Sequence, residues 1–228
     1  EENMDENHRR LKKLHQLIGD LGYSWNKRIR NGGVVDVIDS NLQSKVSEMR
    51  KSGLNIMMSM KNDAKPVSFI EDCAVELKDL AEYTDGLNKI FDKYNVKGTW
   101  YAHASVGCLH VRPVLNMKIQ DDVDKMRNIA NETSSLVKKF KGSYSGEHGD
   151  GIARSEFNEV MFGKKMTNIF KIVKNSFDPF NIFNPGKIVD APKLDERDYF
   201  RYAPSYNAKN IDTILDLSLI HISEPTRP

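Results

Sequence analysis

The sequence has few cysteines, no long apolar run and no large surplus of either charge, and each of these excludes a class of protein. Two cysteines, Cys73 and Cys108, are too few for the disulfide framework of a small secreted domain. The longest nearly apolar run, GLNIMMSM at 53–60, is far shorter than a membrane-spanning helix. Acidic and basic residues are interspersed and the net charge is only +2, whereas nucleic-acid-binding surfaces carry concentrated basic stretches. The sequence therefore predicts a cytoplasmic protein without a transmembrane segment or a nucleic-acid partner.

Both ends of the sequence differ from its middle. The chain begins with EENMDENHRR, within a helical charge pattern, so we expect a truncated helical part over 1–45. The final stretch LSLIHISEPTRP, 217–228, resembles the translation of an adapter used to prepare sequencing libraries, and we expect an artefact there that gives His221 no function. Residues 191–216 are predicted to form an extended linker toward a missing domain, which leaves 46–190 as the compact part.

The spacing of apolar residues predicts an α+β fold. Helical spacing is found at 5–30, 39–51, 77–90, 120–140 and 155–176, and strand-like alternation at 54–60, 65–72, 97–104 and 108–116. From residue 66 onward the order β-α-β-β-α fits a ferredoxin-like element. We therefore expect a ferredoxin-like antiparallel sheet that is covered by helices on one face.

Two of the six histidines lie seven positions apart in YAHASVGCLHVRP, residues 101–113. If SVG forms the turn of a hairpin, His103 ends one strand and His110 lies early on the next, where the two imidazoles can share one divalent ion. Ordinary residues on a half-buried sheet face can have the same spacing. On these two residues alone, both interpretations stay open.

A second group of ionisable residues lies in the glycine-rich stretch SGEHGDG. Glu147 and His148 stand there between glycines, which permit close backbone approach and positive φ angles. Together, His103, His110 and Glu147 are ligands that a catalytic divalent metal accepts. His148, beside such a metal, is suited to act as a base near neutral pH.

Arg112 follows His110 by two positions, so both side chains point to the same face of a strand. A guanidinium beside a metal site can bind a substrate carboxylate through paired hydrogen bonds. A solvated arginine on an exposed face is the alternative. The stretch FNPGK, residues 183–187, by itself indicates only a turn.

Three separated motifs together resemble one known family. YAHASVGCLHVRP, SGEHGDGIARSEF and FDPFNIFNPGKIV occur in the same order in the C-terminal substrate domain of FAD-linked oxidases of the vanillyl-alcohol oxidase superfamily. The branch is that of glycolate oxidase, D-lactate dehydrogenase and D-2-hydroxyglutarate dehydrogenase. The resemblance covers 46–190 and is strongest to long bacterial members that carry an iron–sulfur domain. The stretch FRYAPSYNAKNIDTILD is similar to the linker before that domain.

The resemblance implies a role for each residue of the histidine motifs. His103, His110 and Glu147 match the family's ligands for a divalent metal, Zn or Mn. His148 matches its proton-abstracting histidine. The implied reaction is the oxidation of a D-2-hydroxy acid, in which the metal makes the substrate hydroxyl more acidic and hydride passes to the flavin.

The resemblance also implies partners beyond these motifs. Arg50 matches an arginine that binds the substrate carboxylate, and Asn184 lies in a stretch that approaches the flavin. FAD would be bound mainly by a missing N-terminal domain on which this chain packs. An iron–sulfur cluster in a missing downstream domain is implied, as is an electron acceptor, either a quinone or an electron-transfer protein. The implied location is cytoplasmic, with or without peripheral attachment to the inner membrane.

The sequence departs from the family pattern at two positions near the implied substrate. Arg112 stands where many members have asparagine, and Leu54 where some have threonine. The additional cation at Arg112 favours either a substrate with a second acidic group or a different mode of binding for a single carboxylate. Two other functions stay open: a non-catalytic ferredoxin-like module for sensing or assembly, and a metal-dependent hydrolase domain.

Overall fold

The computed structural model describes residues 3–23, 35–203 and 206, and it divides the chain into two compact units at Leu54. The residues predicted to be an artefact, 217–228, lie outside the described part, as does most of the predicted linker after residue 203.

The first unit contains helix α1, Met4–Asp20, and most of helix α2, Ser40–Met58. Asn3 caps α1, since its side-chain oxygen accepts hydrogen bonds from the backbone N–H groups of Asp5 and Glu6 at 3.0 and 3.2 Å. The chain leaves the helix at Gly22, where φ is +88°. Of the helix predicted over 5–30, the part after residue 23 up to residue 30 lies outside the described residues.

The strand predicted over 54–60 is wrong, because α2 continues without interruption through Met58. A short apolar run such as LNIMMSM fits a helix and a strand equally well, and periodicity over seven residues or so cannot separate them. The preceding helix therefore extends through the run.

The second unit is built around strand β4, Cys108–Leu115, which is central in a four-stranded antiparallel sheet. Strand β3, Gly98–His103, pairs with β4 on one side. On the other side β4 pairs with two short strands, β1, Lys65–Pro66, and β2, Cys73–Ala74. The strand predicted over 65–72 is thus only partly correct, since β1 ends at Pro66, which has no N–H to donate to a ladder.

Two helices, α3, Leu80–Lys93, and α4, Gln120–Lys139, share one core with the sheet. Nearly fully buried residues of this core are Tyr83, Leu87, Val111, Leu115, Ile129 and Val137. After α4 the chain returns to pair Ser143 with Ala74 in an isolated antiparallel bridge. The order β2-α3-β3-β4-α4 confirms the predicted α+β class with a ferredoxin-like antiparallel sheet.

The helix predicted over 155–176 is interrupted. It is replaced by α5, Gly151–Arg154, a 3₁₀ turn, Ser155–Phe157, then α6, Asn158–Phe162, and α7, Lys164–Phe177. The break between the last two falls at Gly163, whose φ of +81° is incompatible with a continuing helix. Residues after 190 contact the domain, with Leu194 buried in the core. Among the helices that the structure describes, none has the length and apolar composition that a bilayer crossing requires.

Candidate active site

The β3–β4 hairpin places the two motif histidines on one face. A 3₁₀ turn, Ala104–Val106, followed by Gly107 joins the strands, so the turn begins one residue earlier than predicted. His103 pairs with Cys108 in the ladder, which leaves His110 diagonally across from His103 on the same face. Their ring centroids are 5.0 Å apart and nearly perpendicular.

The turn after α4 brings Glu147 and His148 to this pair. Glu147 Oε2 lies 3.4 Å from His110 Nε2, and Glu147 Oε1 lies 3.9 Å from His103 Nε2. The His148 ring stacks on the His110 ring at 5.3 Å, and its Nε2 lies 3.8 Å from Glu147 Oε2. Two motifs that are far apart in the sequence therefore form one cluster.

The geometry of this cluster fits a divalent cation. His103, His110 and Glu147 each offer one ligand atom, and these atoms lie within 4.8 Å of one another. Donors around one zinc ion lie about 3.4 Å apart when each bond is about 2.1 Å long and the geometry is tetrahedral. The side chains of His103 and Glu147 are 45% and 37% exposed, so further coordination positions face solvent.

His110 is the buried member of the cluster, with only 7% of its side chain exposed. This burial lowers the pKa of His110, against the opposing attraction of Glu147 and Glu71 for the protonated form. A neutral imidazole is the form that binds a metal. His110 Nδ1, on the far side of the ring, faces Glu71 Oε1 at 3.5 Å and makes no hydrogen bond with any described residue.

Arg112 lies on the same face of β4 as His110, as predicted, but much of its guanidinium is already engaged. Its Nε donates to Glu71 Oε2 at 3.0 Å and to Ser68 Oγ at 3.1 Å, and its Nη2 donates to Glu71 Oε1. Burial alone would raise the pKa of Glu71, but the hydrogen bonds from Arg112 and Ser68 outweigh it and hold the pKa below its usual value. Among the described residues, none accepts a hydrogen bond from Arg112 Nη1.

A second possible ligand group consists of Glu71, His110 and His148. Glu71 is a poor ligand here, because both of its oxygens already accept from Arg112 and its side chain is only 7% exposed. Among the described residues, no arginine or lysine pairs with Glu147, whose side chain is 37% exposed. The arrangement therefore favours His103, His110 and Glu147.

Asp72 is a site residue that sequence reasoning missed. Its buried carboxylate accepts hydrogen bonds from the backbone N–H groups of Glu147 and His148 at 2.8 and 2.6 Å, and it pairs with Arg154. Glu71 was missed in the same way. Both belong to the stretch KPVSFIED, which was interpreted only as a strand, and no motif marked its two acids.

The two cysteines are not part of the ligand set that the geometry favours. Cys108, although next to the cluster in the ladder, is buried, and burial raises the pKa of its thiol to about 11. The same cause raises the pKa of Cys73 to about 12. Neither cysteine belongs to a group of described residues whose ligand atoms lie within 4.8 Å of one another.

Two predicted site residues lie outside the two histidine motifs of the sequence. Arg50 is exposed on α2 in the first unit. Asn184 is exposed in the loop after α7, with a positive φ of +47°. This loop is fixed by Asp178, which accepts from the backbone N–H groups of Ile182 and Phe183 at 2.9 Å.

Comparison with known proteins agrees with these motifs. Residues 4–188 match the family described as FAD linked oxidases, C-terminal domain. The chain is 34% identical over 154 residues to a D-2-hydroxyglutarate dehydrogenase of Haemophilus influenzae. The aligned residues make up 68% of this chain and 15% of that protein. The chain is 28% identical over 143 residues to the glycolate oxidase protein GlcD of Bacillus subtilis, covering 63% of this chain and 30% of that protein. A D-lactate dehydrogenase of Archaeoglobus fulgidus is 30% identical over 125 residues, which make up 55% of this chain and 27% of that protein. The chain thus spans less than a third of each of these relatives.

Proposed function

The chain belongs to the family of FAD-linked oxidases, of which it forms the C-terminal domain, and from this we propose that it supplies the substrate- and metal-binding half of a D-2-hydroxyacid dehydrogenase. The observation that carries the proposal is the convergence of His103, His110 and Glu147 with a fourth ionisable group, His148, beside them. The three relatives described above are named for the oxidation of glycolate, D-lactate and D-2-hydroxyglutarate.

The proposed roles follow from the orientation of each side chain. A divalent metal, Zn or Mn, supplies acidification of the substrate hydroxyl when bound, and FAD supplies the hydride acceptor. His103, His110 and Glu147 would hold the metal. His148 would take the hydroxyl proton at Nε2, which faces the ligands, because Nδ1 lies 3.7 Å from the carboxylate of Asp72.

The substrate carboxylates would be bound by arginines. Arg112 has one guanidinium edge held by Glu71, which fixes the direction of the remaining nitrogen, Nη1. We propose that Nη1 binds a carboxylate, and that Arg50 binds another. Two cations suit a dicarboxylate, so D-2-hydroxyglutarate is the favoured substrate within the class, and D-lactate is the alternative.

The loop after α7 is proposed to contact the flavin-binding part of the enzyme. Phe177, Phe180 and Phe183 are 86%, 84% and 69% exposed. Exposed apolar clusters of this kind mark interaction surfaces. Asp178 fixes the loop between them, as a docking surface requires, and Asn184 follows directly and would approach the flavin.

The electron acceptor is proposed to be a quinone or an electron-transfer protein, reached through an iron–sulfur cluster in a further domain. The cluster would be bound outside this chain, since such a cluster is held by about four cysteine thiolates and the chain contains only two cysteines. A cytoplasmic location stays a prediction.

The function is tested by anaerobic reduction of the flavin in the flavin-containing enzyme. D-lactate, D-2-hydroxyglutarate and their L-enantiomers are mixed in turn with wild type and with His110→Ala, His148→Ala and His8→Ala. We expect one D-acid to bleach the flavin in wild type and in His8→Ala, whose exposed histidine lies on α1, and not in the other two variants.

Two results would contradict the proposal. If no acid bleaches the flavin, the chain is not part of a hydroxyacid dehydrogenase, and a sensing or assembly module becomes the better interpretation. If His110→Ala and His148→Ala bleach as fast as wild type, the histidine cluster is not the active site.

A further inference from the structure

Asp72 is a buried carboxylate that contacts the backbone of the ligand-bearing turn. We infer that Asp72 is a positioning residue: its carboxylate holds the 145–148 turn in the conformation that directs Glu147 and His148 toward His110. The inference rests on the proposed function, because it assumes that the cluster binds a metal.

The two carboxylate oxygens of Asp72 accept hydrogen bonds from different partners. Oδ2 accepts from the backbone N–H of Glu147 at 2.8 Å and of His148 at 2.6 Å, and from Ser145 Oγ at 3.4 Å. Oδ1 accepts from Arg154 Nη1. Hydrogen bonds to a charged, desolvated acceptor are the strong ones, so one side chain determines the path of the turn.

The backbone of Asp72 is part of the same arrangement. Its N–H donates to Leu109 O at 3.0 Å, next to His110 on β4, and its carbonyl accepts from Gly146 N at 2.9 Å. Its φ is +62°, a left-handed conformation that aspartate tolerates better than most residues. One residue therefore links the strand that carries His110 to the turn that carries Glu147.

The close approach of the turn to Asp72 requires glycine at position 146. A Cβ added to Gly146 would lie 2.8 Å from Asp72 O and 3.3 Å from Ala74 Cβ. Both neighbours are parts of the sheet region that cannot withdraw easily. A side chain at this position must push the turn away from Asp72.

Arg154 forms an ion pair with Asp72 in the interior. Asp72 is fully buried, and the side chain of Arg154 is 9% exposed. Arg154 Nη1 also donates to the carbonyl of Glu71. The guanidinium thus compensates a carboxylate that carries no solvent contact, while leaving Oδ2 to the turn.

The test compares Asp72→Asn and Gly146→Ala with wild type. Asp122→Asn is the matched control, because Asp122 also accepts a backbone N–H, that of Asn116 at 2.7 Å, and pairs with Lys125. Zinc affinity is measured by competition with a chromogenic chelator, and hydrogen exchange is followed at the amides of Glu147 and His148 without metal. Gly146→Ala moves the turn away while the Asp72 carboxylate stays in place. It therefore gives a result even if Asp72→Asn does not fold.

We expect both site variants to exchange these amides faster and to bind zinc about 10–100-fold more weakly, while Asp122→Asn matches wild type in both measurements. If the two site variants exchange these amides at wild-type rates while wild type binds zinc, the positioning role alone is overturned. The same holds if the variants exchange faster but keep the zinc affinity of wild type. A wild type that binds neither zinc nor, in the same competition assay, manganese would overturn the proposed function, and the inference with it.

Discussion

His148 stacks on His110, with ring centroids 5.3 Å apart and ring planes inclined by only 18°. The two imidazoles have different surroundings: His110 is 7% exposed, whereas His148 is 45% exposed and lies beside Asp72. Exposure alone does not separate a ligand from a base, since the proposed ligand His103 is also 45% exposed. In the proposed assignment the buried ring of His110 would bind the metal, and His148, beside Asp72, would exchange a proton with substrate and solvent.

Replacing Arg112 by methionine should destabilise the fold through Glu71. The side chains of Arg112 and Glu71 are 14% and 7% exposed, so the change leaves a carboxylate buried without its cation. We expect the free energy of unfolding at neutral pH to fall by about 3 kcal/mol, measured by urea denaturation.

The double variant Arg112→Met, Glu71→Gln is the control for this prediction. It removes the charge together with its partner, so it should recover most of the lost stability. Equal stabilities of the single and double variants would mean that the unpaired Glu71 carboxylate is not the cause of the loss.

Replacing Arg112 by lysine should change substrate preference. Lysine keeps a positive charge but loses the planar fork that is shared between Glu71 and the proposed substrate carboxylate. We expect KM for D-2-hydroxyglutarate to rise about tenfold and KM for D-lactate to change little, in steady-state assays of the flavin-containing enzyme. A similar rise for both acids would show that Arg112 does not bind the second carboxylate.

Gly107→Ala should be strongly destabilising because the hairpin turn has no room for a side chain. An added Cβ would lie 1.9 Å from Val75 O, and φ at this position is +71°. Gly53→Ala is the matched control, since a Cβ there meets nothing within 4 Å and the position is helical. Thermal denaturation should show a large loss for Gly107→Ala and no loss for Gly53→Ala.

The stability of the loop after α7 should depend on pH in the acid range. Hydrogen bonds lower the pKa of Asp178 from 3.8 to about 2. The largest contribution is that of Lys174, and the backbone N–H groups of Ile182 and Phe183 add to it. Because the folded value lies below the unfolded one, the stabilisation is present above pH 3.8 and is lost as the pH falls through 2.

Asp178→Asn tests this pH dependence. We expect the variant to melt at a lower temperature than wild type near neutral pH, and the two melting temperatures to converge as the pH falls toward 2. A difference that stays constant across this range would contradict the role of the Asp178 charge.

The sequence was sufficient to predict the α+β class and the two strands of the β3–β4 hairpin, but not their register. The turn begins at Ala104, one residue before the predicted SVG, and a shift of one residue changes which side chains share a face. Glu147 and His148 were grouped with His103 and His110 on ligand chemistry and on the resemblance, since no local rule places a turn after α4 beside a hairpin.

The rest depends on tertiary contacts that leave no local pattern. The predicted strand over 65–72 would place Glu71 and Asp72 on opposite faces, but β1 ends at Pro66 and the chain turns before Cys73, so both acids reach the site. Their partners, Arg112 and Arg154, are distant in the chain and were not paired with them. The apolar run at 54–60 failed for a different reason, because helix and strand patterns coincide over so short a stretch.

The most direct test of this account is the metal content of five variants after dialysis against a limiting zinc concentration. The account predicts that His103→Ala, His110→Ala and Glu147→Gln lose the metal, whereas His148→Gln and the control His8→Ala retain it at the wild-type ratio. His148→Gln would at the same time fail to reduce the flavin with any D-2-hydroxy acid. Loss of the metal from His148→Gln, or its retention in His110→Ala, would contradict the assignment of ligands and base on which the account rests.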